Sequence, residues 1–388
     1  MRDVAIIGAG MVKFGRYPEK SISRIGAEAV LAALKDASVS LRDVQLLAAG
    51  NFLLPSSLVG QHILYWIGQT GIPVVNVTNL CASGSTAFRE AYIGVASGMH
   101  DLTVAVGVEQ MGKAGIIPPT ATDEICNKMG LEYDVEGVAG PSTTPGVFSL
   151  LGVEHMRKYG TTFAQFAKVA VKNHHHSTLN PYAQYQVETP LETVMNARMI
   201  AYPNTLYMCS PTGDGAGAVV LAPWDQARRY TSKPVRVAAS ILTCIPWSSN
   251  DPLYPLAWDV NTVTRLAAQQ AYEQAGLGAE DLDLVELHDC FATAELLHYE
   301  NLGLCGEGEA GRFIDEGHTY IGGRIPVNAS GGLLSKGHPL GATGVANIVE
   351  VAWQLRGEAG ARQVEGAKVG LAHVIGLGSA CTVHIMQK

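Results

Sequence analysis

The feature that most constrains this chain is its likeness to itself. Residues 33–47, "ALKDASVSLRDVQLL", align without a gap on residues 271–285, "AYEQAGLGAEDLDLV". Each reads as the end of an amphipathic helix, a short turn with an acidic residue, and a buried strand. Three further pairs follow the same logic. "DLTVAVGVEQ" (101–110) matches "AKVGLAHVIG" (367–376) as a second strand, and "DGAGAVVLA" (214–222) matches "GSACTVHIM" (378–386) as a third. The helix "GSTAFREAYIGVA" (84–96) matches "GATGVANIVEVA" (341–352). A chain of 388 residues exceeds one ordinary core. The pattern therefore predicts two βα-rich halves from one ancestral unit. The first half takes in 1–111 plus 211–232 and the second 233–388. Between the two parts of the first half, residues 112–210 form an insert, rich in Pro, His, Asn and Tyr and weakly periodic, which reads as loop-dominated. Alternating strands and helices imply α/β layers, with the site at the seam where loops of both halves converge.

Composition narrows the function classes. Apolar residues make up 47% and charged residues 16%, which suits a well-buried globular enzyme. Net charge is −8 without a Lys/Arg cluster, which argues against nucleic acid as a partner. No apolar run reaches the length of a membrane span. The seven cysteines, at 81, 126, 209, 244, 290, 305 and 381, are odd in number and contain no CxxC pair. No secretory leader precedes "DVAIIGAG", so the thiols read as reduced and the protein as cytoplasmic.

Three stretches carry the chemistry. In "NVTNLCASGSTAFREA" (76–91) a strand-like segment ends at Asn79–Leu80 and Cys81 stands before a helix. The positive end of a helix dipole favours thiolate, and Ser83, Gly84 and Ser85 leave room for a substrate. In "NASGGLLSKGHPLGATG" (328–344) a glycine-rich loop sets His338 ahead of the matching helix. His338 thus takes the place in the second half that Cys81 takes in the first, and a two-fold arrangement brings them together as an activated thiol pair. In "LHDCFA" (287–292) an imidazole, a carboxylate and a thiol follow a strand. A zinc site calls for further Cys or His at close spacing, and the sequence has none there. His288 as oxyanion donor and Cys290 as proton shuttle fit better, with Asp289 orienting the loop.

These loops resemble a known family. "CAS" at Cys81, "HDCF" at 288–291, "GHPLGATG" at 337–344 and the last glycine-rich loop "VIGLG" at 374–378 look like the four catalytic loops of the thiolase superfamily. "HDCF" in place of "NEAF" resembles the sterol-carrier-protein-type thiolases and their bacterial and archaeal relatives. The resemblance spans essentially the whole chain. It implies a thiolase fold, with two duplicated βαβαβ-type halves in five αβαβα layers and an inserted loop domain. It implies a β-ketoacyl-CoA thiolase acting through an acyl-enzyme on Cys81, with His338 as its base, His288 as an oxyanion contact and Cys290 as acid/base. Many thiolases carry their second Cys in the last loop; here Val374 stands there, which moves the proton role to Cys290. The backbone N–H groups of Cys81 and Gly376 are implied as the oxyanion hole.

The same resemblance implies acyl-CoA and CoA as substrates, no bound cofactor or metal, a homodimer, and a small OB-fold zinc-ribbon partner subunit. The dimer edge is expected around Leu102–Val108. Phe148, Trp247, Tyr254 and Trp258 either line a pocket for a branched, aromatic or steroid acyl chain or belong to the core. The rival readings are a ketoacyl synthase, a retro-aldolase, which needs no acyl-enzyme, and a non-catalytic lipid-binding subunit. Two motifs mislead. "GAGMVKFG" (8–15) lacks dinucleotide spacing. "KNHHHS" (172–177) cannot turn adjacent histidines onto one ion and reads as a solvated helix end or substrate-side loop.

Overall fold

The computed structural model describes residues 1–112, 143–246, 260–377 and 380–388. Its first half runs β1 (Val4–Met11), α1 (Ile22–Asp36), β2 (Leu46–Gly50), α2 (Val59–Ile67), β3 (Val74–Val77), α3 (Ser83–Ala96) and β4 (Thr103–Gln110). The insert adds α4 (Thr143–Tyr159), α5 (Phe163–Thr178), α6 (Leu191–Asn196) and the small hairpin β5 (Met199–Ala201) and β6 (Asn204–Thr205). The first half then closes with β7 (Asp214–Pro223) and α7 (Trp224–Ala227). The second half runs β8 (Val235–Thr243), α8 (Val260–Ala275), β9 (Leu284–Glu286), α9 (Ala292–Asn301), α10 (Ala310–Asp315), α11 (Leu340–Arg356), β10 (Val369–Gly376) and β11 (Ala380–Gln387).

The strands join in the order β3-β2-β4-β7-β1-β8-β11-β10-β9. Pairing repeats across the two halves. β2 lies parallel to β4 as β9 does to β10. β4 lies antiparallel to β7 as β10 does to β11. β1 pairs β7 as β8 pairs β11. The halves meet at β1–β8, over only Val4–Ile6. These strands read as continuous apolar runs because helices cover both faces.

α11 explains the layering. Its sequence is apolar nearly all round, and every residue except Trp353 is buried. It packs on β4 and β7 of one half and on β10 of the other, with α3 beside it. Ala342, Val345, Ala346 and Val349 share a core with Ala48, Ala105 and Val219 on one side and Leu284, Ala372 and Met386 on the other. Burying each Val or Ile there stabilises by roughly 1.5–3 kcal/mol. α1 and α2 cover the outer face of the first half, and α8 and α9 that of the second. The result is five layers, αβαβα.

Glycine sets how closely the central helices approach. A Cβ on Gly84 would strike the carbonyl of Gly341, and one on Gly344 would strike the backbone of Ser85. Backbone-to-backbone contact at this crossing brings the starts of α3 and α11 together.

Two expectations change. The strand around Leu102–Val108 is not an edge: β4 lies between β2 and β7 and is buried. The exposed edge is β3, whose four residues are all partly or fully exposed. In the second half its counterpart shrinks to a single bridge, Val285 to Val327. The insert is also not loop-dominated where it is described. Thr162 and Gln165 form a capping box that starts α5, and α5 buries Phe166, Ala167, Val169 and Ala170. Its buried face draws on both apolar and polar residues, so apolar periodicity alone understates it.

Candidate active site

Cys81 stands two residues before α3, which begins at Ser83. Leu80 adopts φ 50, a left-handed conformation unusual for a branched side chain, and turns the chain sharply into the helix. Ser83 locks the turn: its Oγ donates to Leu80 O at 2.6 Å and accepts from Asn79 N–H at 2.8 Å. Cys81 is 8% exposed. Burial pushes its thiol up to about 12, although its own N–H and that of Leu377 pull the other way. The expected helix-stabilised thiolate is therefore not the resting state: desolvation outweighs the dipole, and the sulfur needs a base. Gly376 fits here because a Cβ would strike Asn79 O, so the end of β10 runs against the nucleophile turn.

His338 is held in one tautomer. Thr343 Oγ1 donates to Pro339 O at 3.0 Å, so it must accept from His338 Nδ1–H at 2.7 Å. That leaves the lone pair on Nε2, which is buried and has no partner among the described residues. Burial, then the neighbouring His288, hold His338 well below the usual imidazole range, so it is neutral. His288 meets His338 edge to face, ring centroids 5.2 Å apart, and both its ring nitrogens are also unpartnered. Burial lowers His288 to about 3. Sγ of Cys81 and ring nitrogens of His288 and His338 lie within 4.8 Å of one another.

Burial, then charge on Cys81, push the Cys290 thiol well above its usual range. Phe291 packs on Phe148 at 5.3 Å, which makes Phe148 core beneath the loop. Trp247, Tyr254 and Trp258 lie outside the described residues. Asp289 does orient a loop, that of His338. It accepts from Leu333 N–H at 2.7 Å and Leu334 N–H at 3.2 Å, within the π-turn Gly332–Lys336. Burial and then Glu295 push its carboxyl well above the usual range.

The "KNHHHS" segment is buried machinery rather than a solvated end. Lys172 Nζ donates to Val327 O and pairs with Glu295, both at 2.6 Å, at zero exposure. Asn173 donates to Asp289 at 2.7 Å and Glu295 at 2.6 Å. His174 bonds Ser335, and His176 bonds the carbonyl of Asn328; of the three histidines only His175 is exposed. α5 thus underpins the "HDCF" and "GHP" loops at once. Sequence reasoning also missed Glu109 and His373. Glu109 accepts from Asn51 Nδ2 at 2.6 Å, Phe52 N–H at 3.0 Å and Gly341 N–H at 3.2 Å, tying the loop after β2 to the start of α11. His373 Nδ1 accepts from His288 N–H at 3.4 Å. Their signal was a lone polar residue inside an apolar strand.

Comparison with known proteins identifies the family. A model described as "Thiolase, N-terminal domain" matches residues 4–200, and "Thiolase C-terminal domain-like" matches 258–388. The chain is 43% identical to an acetyl-CoA acetyltransferase of Methanothermobacter thermautotrophicus over all of both chains. It is 41% identical to human sterol carrier protein 2, over 100% of this chain and 72% of that one. Among solved structures, an Ltp2-ChsH2(DUF35) aldolase superposes with TM-score 0.81 at 25% identity, covering 98% of this chain and 97% of the other.

Proposed function

The chain belongs to the thiolase family and is an acyltransferase with CoA as a substrate, and we propose that it cleaves β-ketoacyl-CoA through an acyl-enzyme on Cys81. The observation that carries this reading is the buried triangle of Cys81, His288 and His338. His338 Nε2 takes the thiol proton as sulfur attacks the β-keto carbon. The Cα–Cβ bond breaks, and its electron pair becomes the enolate of the departing acyl-CoA. Protonated His338 and the N–H of His288 donate to oxyanions, with the backbone N–H groups of Cys81 and Gly376 as the hole for the acyl oxygen. Cys290 gives the α-carbon its proton and becomes thiolate. It recovers that proton from the incoming CoA thiol, which then takes the acyl group as Cys81 leaves and regains its proton from His338. Every proton returns, so no redox or metal cofactor is drawn on, and the same steps run backwards make a Claisen condensation.

The acyl chain is branched, aromatic or steroid-like in this reading, which the likeness to sterol carrier protein 2 supports. The aldolase likeness favours retro-aldol cleavage as a second reading, but retention of Cys81 between two imidazoles supports acyl transfer. β3 supports a homodimer: an unpaired edge with Val75 39% exposed, beside α2, where Tyr65 is 74% and Trp66 54% exposed. The DUF35 named in the aldolase supports a small partner subunit. The described cysteines are all free, which supports a reducing, cytoplasmic setting. Mass spectrometry after mixing with a β-ketoacyl-CoA should show an acyl adduct on Cys81, absent in Cys81→Ala. An adduct on Cys290 would reverse the roles. Light scattering near the 41.1 kDa monomer mass at micromolar concentration would refute the dimer.

A further inference from the structure

Spacing in the sequence offers no ligand cluster for a metal, yet folding assembles one. Cys81 Sγ and ring nitrogens of His288 and His338 lie within 4.8 Å of one another, and all three residues are buried. We propose that this triangle is a reversible binding site for Zn2+, and that metal bound there switches the acyl-accepting thiol off.

One thiolate and two imidazoles are donors that Zn2+ favours, and three protein donors leave a fourth tetrahedral position for water. Bond lengths of about 2.0–2.1 Å to nitrogen and about 2.3 Å to sulfur put tetrahedral donors roughly 3.4–3.6 Å apart. Side-chain adjustments on the order of 1 Å close the present triangle to that size. The orientation is set in advance. Thr343 holds His338 Nδ1, so the Nε2 lone pair is the free one. That nitrogen and both ring nitrogens of His288 are buried without a partner among the described residues. Loading forms a Zn–S bond and breaks the S–H bond, and the proton passes to solvent. Sulfur held by the metal cannot attack a carbonyl, so metal and acyl group compete for one atom. His288 is what makes the site three-donor; an amide in its place leaves two.

The test uses the full chain, stripped of metal with a chelator, with Co2+ as an optical probe and Zn2+ alone in calorimetry. One ion should bind per chain, with a thiolate-to-cobalt absorption band that Cys81→Ala removes. His288→Asn removes a donor outright and should weaken Zn2+ binding by at least the roughly 10–100-fold that loss of an outer-shell partner costs. Acyl transfer should fall as Zn2+ rises, recover with EDTA, and be protected when Cys81 is acylated first. Cys81→Ser gives a second sulfur-free variant should Cys81→Ala fail to fold. Zn2+ affinity unchanged in the Cys81 variant and in His288→Asn would place the ion elsewhere, for instance at the exposed His175–Glu188 pair, and overturn the proposal. Absence of binding at millimolar Zn2+ would overturn it as well. Because Co2+ is read on unreacted protein, this failure is distinct from failure to form the acyl-enzyme.

Discussion

The loops that leave β2 and β9 occupy equivalent places in the two halves, yet only one bears an imidazole and a thiol. From the last residue of β2 the chain reads Gly50-Asn51-Phe52; the aligned residues after β9 are His288-Asp289-Cys290. Both are held by a buried carboxylate, but the acid has moved. In the first half it is Glu109, at the end of β4. In the second half the acid is Asp289, on the loop itself, and it grips the π-turn before His338. Duplication supplied two equal scaffolds. One kept a plain loop tied to the opposite helix, and the other was freed to place an imidazole and a thiol. The lesson is that symmetry positions the site and asymmetry gives it function.

The sharpest way to break this comparison is to truncate equivalent positions. Cys290→Ala should lower both cleavage and α-proton exchange with deuterium by about 10²–10⁴-fold, while still forming an acyl-enzyme from a simple activated thioester. Phe52→Ala, its mirror, should leave α-proton exchange within about tenfold of wild type. Exchange at the wild-type rate in Cys290→Ala would make "HDCF" a structural loop.

The two acids give the next effect. Glu109→Leu orphans one N–H of the Asn51 amide, whose other N–H keeps Val108 O, and the N–H groups of Phe52 and Gly341, and each buried donor left unpaired costs about 1–3 kcal/mol. Denaturant midpoints should show several kcal/mol lost there. Asp289→Asn keeps one acceptor, for Leu333 N–H, but sets its NH2 against Leu334 N–H and the Asn173 amide, and should lose less stability than activity, because it loosens the turn that carries His338. Equal stability losses would show the two acids to be interchangeable scaffolds.

A smaller effect is expected at His373, which has no polar mirror: the aligned residue in the first half is Gly107. His373→Leu leaves the His288 N–H without its acceptor, worth about 0.5–1.5 kcal/mol, or roughly 2- to 12-fold in kcat. His373→Asn should restore part of it, whereas a merely structural role would show in the melting temperature alone.

The smallest expected change is with pH. Burial and His288 hold His338 below its ordinary value, so its neutral form persists on the acid side, and Cys81 stays protonated up to about 12. The rate should be flat from about pH 7 to pH 9. Alkylation of Cys81 by iodoacetamide, which needs free thiolate, should instead climb with pH through that range. A bell centred near neutrality would mean a preformed thiolate–imidazolium pair.

Much of this was legible in the chain. The repeat of helix, turn and strand at 33–47 and 271–285 determined the α/β layers and the two-fold plan, because apolar periodicity is a local property. Cys81, His338 and the "HDCF" loop stood out because small residues and helix starts surround them. The edge strand was misplaced because β3 is four half-exposed residues, too short to show a pattern, while β4 is apolar for being central. α5 was misread because Lys172, Asn173 and His174 look polar and solvated, and only tertiary contacts with Glu295, Asp289 and Ser335 bury them. The protonation of Cys81 was likewise decided by depth: a helix dipole can be read from sequence, but desolvation depends on what packs above it. The metal-like triangle is the plainest case. Its three donors are far apart along the chain; Gly84, Gly341 and Gly344 let the helices behind Cys81 and His338 touch, and the loop after β9 brings His288.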